Sequence, residues 1–215
     1  MRHETGRTYV SAVERLRALP AVFRGADLTV RYQWASKTAS QYLYLWRHRG
    51  LIEPLGGHSD VFMNLIVSPD PDWEGAARLA MPSAVIVGVE ALRRAGWTTQ
   101  VARRVEVAVA PGQPRYHIGH FEVTRRSADW FARTRAFLRG RDGTLPVLHP
   151  AFALADLLRR HGWGAGGVFP DDIEWDDIAP AEAGDWARAA RAMGVAQYVD
   201  LFEMRGVDSC GMKQK

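Results

Sequence analysis

The stretch from Ser36 to Ser59 carries the side chains whose types and spacing could do recognisable chemistry. Ser36, Lys37, Thr38, Ser40, Gln41, Tyr44 and Arg47 fall outside the apolar stripe that Ala39, Tyr42 or Leu43, and Trp46 mark at helical spacing. Short polar side chains near the start of a helix are what a major groove admits, because the N-terminal residues of a recognition helix reach base edges. Gln41 can pair bidentately with adenine, Ser40 and Thr38 with several bases, and Lys37 with guanine or phosphate. Arg47 and Arg49, on either side of His48, suit phosphate contact. His58 and Ser59 lie in the connector Gly56-Gly57-His58-Ser59-Asp60, where a hairpin tip would offer them to a DNA backbone or minor groove, with Asp60 working against it. This is hydrogen bonding and ion pairing to double-stranded DNA; no bond is broken.

Catalytic candidates are few. His117-Ile118-Gly119-His120 holds two histidines three apart, but on a strand they would point to opposite faces and could not share a metal. The glycines of Gly162-Trp163-Gly164-Ala165-Gly166-Gly167 follow a helical pattern, whereas a phosphate loop needs a helix start immediately after it. Asp171, Asp172, Glu174, Asp176 and Asp177 lack the spacing and central glycine of a calcium loop. No nucleophile elbow or triad is readable. The expectation is a protein that is not an enzyme and has no metal and no cofactor.

The elements that must position the DNA-reading face come in a readable order. A first helix is expected from Tyr9 or Val10 to Leu19, capped by Ser11 and ended by Pro20. A second runs from Gly25 or Ala26 to Trp34, and a short link leads into a third, from Lys37 to about His48. Two helices joined by so few residues match a helix-turn-helix. Gly50 then stops the third helix. Leu51–Leu55 and Val61–Val67 read as a strand pair, with Pro54 restricting the first to an edge. Helix, helix, then hairpin is the order of a winged helix-turn-helix.

Ser68-Pro69-Asp70-Pro71-Asp72 is the expected domain boundary, with two prolines, two acids and nothing apolar. That gives a winged helix-turn-helix over residues 1–68 and a C-terminal α/β domain over 69–215 with a small sheet and flanking helices, a mixed α+β fold class. In the second part, Trp73–Met81 reads as a helix and GVEALRRAGW as another. Arg103–Ala110 alternates as a strand, and Tyr116–Thr124 is its expected hairpin partner across Pro111-Gly112-Gln113-Pro114. Leu145–Leu148 reads as a short strand and Ala151–His161 as a strong helix. The type of Ser127–Arg139 stays open. Ala181–Met193 and Ala196–Phe202 close the chain as helices, and Gly206–Lys215 reads as a frayed tail.

Charge is distributed unevenly. Residues 1–68 hold nine Lys/Arg against five Asp/Glu, residues 69–168 fourteen against nine, and residues 169–215 five against ten. Basic first parts and an acidic end suit a polyanion-binding surface beside a separate acidic segment. No apolar run approaches the ~20 residues that cross a bilayer, the start lacks the apolar core of a secretory signal, and Cys210 alone excludes an internal disulfide. A cytoplasmic protein with no membrane association is expected.

The succession MPSAVIVGVEALRRAGW, RRVEVAVA, LPVLHPAFALADLLRRHG behind a winged helix resembles the AbiEi-type antitoxins of type IV, abortive-infection toxin–antitoxin systems. The matching positions are Glu90-Ala91-Leu92 through Gly96, Val105–Val109, and Ala153-Leu154-Ala155-Asp156-Leu157-Leu158, within a likeness spanning roughly residues 10 to 165. The wing reads Gly57-His58-Ser59-Asp60-Val61-Phe62 where that family usually ends Arg-Gly-Val/Leu-Tyr. The resemblance implies that the winged helix binds inverted repeats in its own operon's promoter and represses it. It also implies that the C-terminal domain counteracts a nucleotidyltransferase-like toxin, without necessarily touching it. Two other readings stand beside it: a non-catalytic protein-interaction module that binds a partner directly, and a metal-dependent DNA-processing enzyme using the acids near 171–177.

Overall fold

A computed structural model describes residues 11–114, 116–140, 143–164 and 166–206. The expected start of the first helix at Tyr9 or Val10, Cys210 and nearly all of the tail lie outside the described residues. The fold is mixed α and β, in two compact units, Met1–Pro82 and Ser83–Lys215.

The first unit begins with α1 (Ala12–Arg17), held by a capping box in which Glu14 N–H donates to Ser11 Oγ at 3.2 Å and Ser11 N–H to Glu14 Oε2 at 2.9 Å. Then come β1 (Val22–Arg24), α2 (Gly25–Tyr32), α3 (Ser36–His48), β2 (Ile52–Pro54) and β3 (Val61–Asn64). The three strands form an antiparallel sheet in the order β1-β3-β2. Pro54 sits on edge strand β2 opposite Phe62, where a missing N–H costs no ladder bond. Strand β1 was not expected: Val22 and Phe23 fall just ahead of the second helix, and three residues give no alternation to read. Phe23 joins Leu16, Leu19, Leu28, Ala39, Trp46 and Ile52 in the core. Buried Asn64, at the end of β3, donates from Nδ2 to Leu16 O at 2.8 Å and Leu19 O at 3.3 Å, tying α1 and the turn after it to the sheet.

The boundary falls at Pro82 and not at Ser68. Helix α4 (Trp73–Ala80) packs on β1 and β3 and buries Ala76, Ala77 and Ala80. Arg24 reaches it, donating from NH2 to Leu79 O at 2.5 Å. Asp72 caps α4, its Oδ1 accepting from Gly75 N–H at 2.8 Å. The prolines and acids of 69–72 therefore start a helix of the first unit.

The second unit is a five-stranded sheet in the order β6-β5-β4-β8-β7, from β4 (Val85–Ile86), β5 (Val105–Val109), β6 (Phe121–Arg125), β7 (Leu138–Arg139) and β8 (Val147–Leu148). Its helices include α5 (Gly88–Arg94), α6 (Ala128–Thr134), α7 (Pro150–His161), α8 (Pro180–Ala183), α9 (Trp186–Met193) and α10 (Leu201–Met204). The expected hairpin is overturned: β5 and β6 pair in parallel, Val105 opposite Phe121 through Val109 opposite Arg125. Val109 and Phe121 are separated by about the dozen residues that a connection between parallel strands needs. His117 and His120 precede β6 and are not in a strand, so no pleat holds them on opposite faces of the sheet. Ser127–Arg139, left open, resolves into α6, a 3-10 turn and β7. The expected helix Ala181–Met193 is broken after Ala183 into α8 and α9, and that over 196–202 into a 3-10 turn and α10.

Helix α7 is the centre of this unit, with Pro150 to Leu158 all buried. Its one acid in that stretch, Asp156, anchors an ion network. Asp156 Oδ2 accepts from Arg126 NH2 at 3.2 Å and Arg160 Nε at 3.1 Å, and Oδ1 from Trp130 Nε1 at 2.9 Å. Glu106 on β5 accepts from the same two guanidiniums, Arg126 NH2 at 2.9 Å and Arg160 NH1 at 2.9 Å. Two carboxylates and two guanidiniums thus cross-link β5, the end of β6, α6 and α7.

His149 joins α7 to α9. Its Nδ1 accepts from Ala151 N–H at 3.2 Å, and Nε2 lies 3.2 Å from Asp185 Oδ2. Burial, with Arg139 nearby, holds the imidazole below its usual pKa despite the pull of Asp185 and Glu182; the Ala151 bond also requires an unprotonated Nδ1. A folded pKa depressed below 6.5 means the unfolded chain binds the extra proton first. The stability contributed is therefore complete above pH 6.5 and drains away as pH falls toward the folded value. His149→Asn keeps a capping acceptor without a titrating group, so its melting temperature should fall less than the parent's between pH 7.5 and pH 5. Parallel pH profiles for the two proteins would show that His149 is not the group responsible.

Candidate nucleic-acid interface

The orientation of α3 is fixed from below by aromatic packing. Gln33 adopts a left-handed conformation (φ 53°) that ends α2 and swings Trp34 back onto Tyr42, with ring centroids 4.3 Å apart. The second helix therefore stops at Tyr32, two residues before the expected Trp34. Trp46, 1% exposed, lies against both rings, and Tyr32 OH donates to Arg15 O at 2.6 Å. Burying a side chain of this size contributes roughly 1.5–3 kcal/mol or more, and here it decides which face of α3 turns out.

That outer face holds Ser36, Lys37, Ser40, Gln41, Tyr44 and Arg47, all exposed, with Arg49 just beyond; Thr38 is half-buried at its margin. Tyr44 OH shares a 2.7 Å hydrogen bond with His48 Nε2, which sets the ring on the helix surface. Leu45, 45% exposed, was missed by the sequence reading although it continues the Lys37, Gln41 row at four-residue steps. With Lys37, Ser40, Gln41 and Tyr44 it lines a shallow surface depression, an apolar side chain among polar ones.

The start of α3 is electrostatically open. Its N-cap is Ala35, which offers no side-chain acceptor, and no acid stands in its first turn. The other helices of this unit are closed: α1 by Ser11, α4 by Asp72, and α2 by Asp27, whose Oδ2 accepts from Arg24 N–H at 2.8 Å. An uncapped helix start presents free N–H groups and about half a positive charge to an anion. Lys37 adds a full charge there.

The wing tip is built on left-handed backbone at Gly56, Gly57 and His58 (φ 96°, 61° and 64°). His58 is exposed. Ser59 is not available as expected: its Oγ is buried and without a partner, so the hydroxyl does not face outward. Asp60 is also reassigned. Its carbonyl accepts from Gly25 N–H at 2.9 Å and its Oδ2 from Ala26 N–H at 3.2 Å, so the carboxylate is met by the start of α2. A Cβ on Gly25 would lie 2.5 Å from Asp60 Oδ1, which is why glycine opens that helix.

Among the described residues, no group of three His, Cys, Asp or Glu is placed to hold a metal, and no helix is long and apolar enough to cross a membrane. The acids at 170–177 form two 3-10 turns, in which Asp172 Oδ2 caps Phe169 N–H at 2.7 Å.

The order α1-β1-α2-α3-β2-β3 with β3 central defines the first unit as a winged helix-turn-helix. No family model matches the chain, and no curated protein matches it. Among solved structures the chain is similar to the RV2827C protein from Mycobacterium tuberculosis. The two are 15% identical with a TM-score of 0.49, over 94% of this chain and 81% of that one.

Proposed function

We propose that the chain is a cytoplasmic, non-catalytic DNA-binding repressor that is also the antitoxin of a type IV, abortive-infection toxin–antitoxin pair. It would bind inverted repeats in its own promoter and counteract a nucleotidyltransferase-like toxin. The observation that carries the DNA half is α3: an exposed row of hydrogen-bonding side chains on a winged helix, with an uncapped start beside Lys37. The antitoxin half rests on the sequence resemblance over residues 10 to 165. Within that stretch, Asp156 of the Ala-Leu-Ala-Asp-Leu-Leu run anchors the ion network of the second unit.

The test is a gel shift with the DNA upstream of the chain's own gene. With about six phosphate contacts, the log–log dependence of affinity on salt should have a slope near −5. Lys37→Ala and Gln41→Ala should each lower specific affinity by about 1–3 kcal/mol, while Arg47→Ala or Arg49→Ala weakens all sequences alike and reduces the slope by about one. Absent or salt-insensitive binding would remove the DNA half of the reading.

A protein-interaction module is the second reading, and one observation favours it. Strand β6 is an edge of the five-stranded sheet, and an open groove beside it is lined by Tyr116, His117 and Ile118. A stable complex with the neighbouring gene's product, together with no DNA affinity, would decide for it.

A further inference from the structure

The ion network of the second unit forms one wall of a cavity of about 180 Å³ that neither the winged helix nor its DNA-reading face involves. Five arginines line it: Arg125 and Arg126 from the end of β6, Arg133 from α6, and Arg159 and Arg160 from α7. Three carboxylates oppose them. Glu106 and Asp156 hold Arg126 and Arg160, and Asp129 holds Arg133 through its NH2. Charge is therefore left over. Arg125 and Arg159 are exposed, and neither has a carboxylate partner among the described residues; Arg125 donates only to Gln113 O, at 2.9 Å. Arg126 is locked by its NH2 while its Nε is buried without a partner. Buried polar groups are nearly always satisfied, so an orphan on a fixed guanidinium at a cationic cavity calls for an explanation.

We propose that this cavity is a binding site for a phosphate-type oxyanion. Arginine forks match tetrahedral oxyanions bidentately, and here two side chains are held in place before any ligand arrives. Arg126 and Arg160 supply the fixed field, each oriented by two carboxylates. Arg125 and Arg159, at the mouth, close on the anion and supply the net charge. A cavity of this volume takes a phosphoryl group and not a whole nucleotide, so the anion is inorganic phosphate, pyrophosphate, or the phosphoryl end of a larger molecule. Its source is either a free phosphorylated compound or a nucleic-acid backbone.

The experiment is calorimetric titration of the full chain with pyrophosphate and with orthophosphate, against chloride at matched ionic strength. Saturable binding is expected, with a melting temperature that rises with ligand as mass action requires. Arg159→Ala and Arg125→Ala should each weaken it about tenfold, the scale of one charged hydrogen bond, and Arg159→Ala should leave the ligand-free melting temperature unchanged, because Arg159 is exposed and does not hold the network. No saturable binding, or binding indifferent to both substitutions, overturns the site. Repeating the titration with duplex DNA present separates the sources. Competition by duplex, with a salt slope lowered by about one in Arg159→Ala, assigns the site to backbone phosphate. Pyrophosphate binding that persists on the DNA-saturated protein assigns it to a free phosphoryl compound. The site does not depend on the repressor reading and survives or fails separately from it.

Discussion

Asp156→Ala should destabilise the second unit by about 3–5 kcal/mol, the cost of breaking a buried ion pair by removing one partner. The side chain is 3% exposed and serves three donors from three elements: Arg126, Arg160 and Trp130 Nε1. Its loss leaves Arg126, 12% exposed, facing Glu106 alone, and strands the Trp130 N–H in the core. The Coulomb attraction lost is only part of this cost, because desolvation of the remaining cation is not returned. Asp156→Asn gives the comparison: an amide oxygen can still accept from Trp130 but carries no charge for the guanidiniums, so its loss should be intermediate. Hydrogen exchange read separately over α7 and over α3 locates the effect, with faster exchange confined to the second unit. A loss below about 1 kcal/mol for the alanine variant would mean that the network behaves as a solvated surface cluster.

How much of this was legible in the sequence depended on whether the determining signal is local. The third helix and the hairpin could be read because Ala39, Tyr42 and Trp46 recur at helical spacing, and because the Gly56-Gly57 connector separates two apolar runs. The same periodicity gave the outward face of α3. Partners remote in sequence left no such trace. Strand β1 exists because β3 offers it a ladder, and three residues cannot announce that. The alternation in β5 says that it is a strand but not whether its neighbour runs with it or against it, so the parallel pairing with β6 contradicted the expected hairpin. Helix α4 joined the first unit through an alanine face too small to stand out in composition. Asp156 sits in an apolar run at a position where an acid reads as an interruption; Arg160 is its i+4 neighbour on α7, but only the fold brings Arg126 to it and Glu106 to the same two guanidiniums. At the wing, two neighbours exchanged roles for the same reason. Ser59 was expected outside and its hydroxyl is enclosed, while Asp60 was expected to repel DNA and instead closes α2.

The open start of α3 yields the most discriminating substitution, because it should move stability and DNA binding in opposite directions. Ala35 already has the extended backbone of an N-cap (φ −60°, ψ 146°) and lacks only an acceptor. In Ala35→Asp the new carboxylate can accept from the first-turn N–H groups of Lys37 or Thr38, which should stabilise the first unit by about 0.5–2 kcal/mol. The same carboxylate occupies the place where a DNA phosphate would meet the helix dipole and Lys37. A like-charge approach of about 4 Å costs about 1 kcal/mol in water and about 4 kcal/mol at the reduced dielectric of an interface, so affinity should fall by roughly fivefold to several hundredfold. Ala35→Ser separates the two effects: it supplies the cap without the charge, so it should raise the melting temperature while lowering DNA affinity far less than Ala35→Asp does. A destabilised protein loses binding together with its fold. Ala35→Asp should instead lose it while melting higher, which only an electrostatic role for this helix start explains. If Ala35→Asp binds the promoter as tightly as the parent, no phosphate sits at the start of α3, and the proposed contacts would have to be made by Gln41, Tyr44 and Leu45 further along the helix.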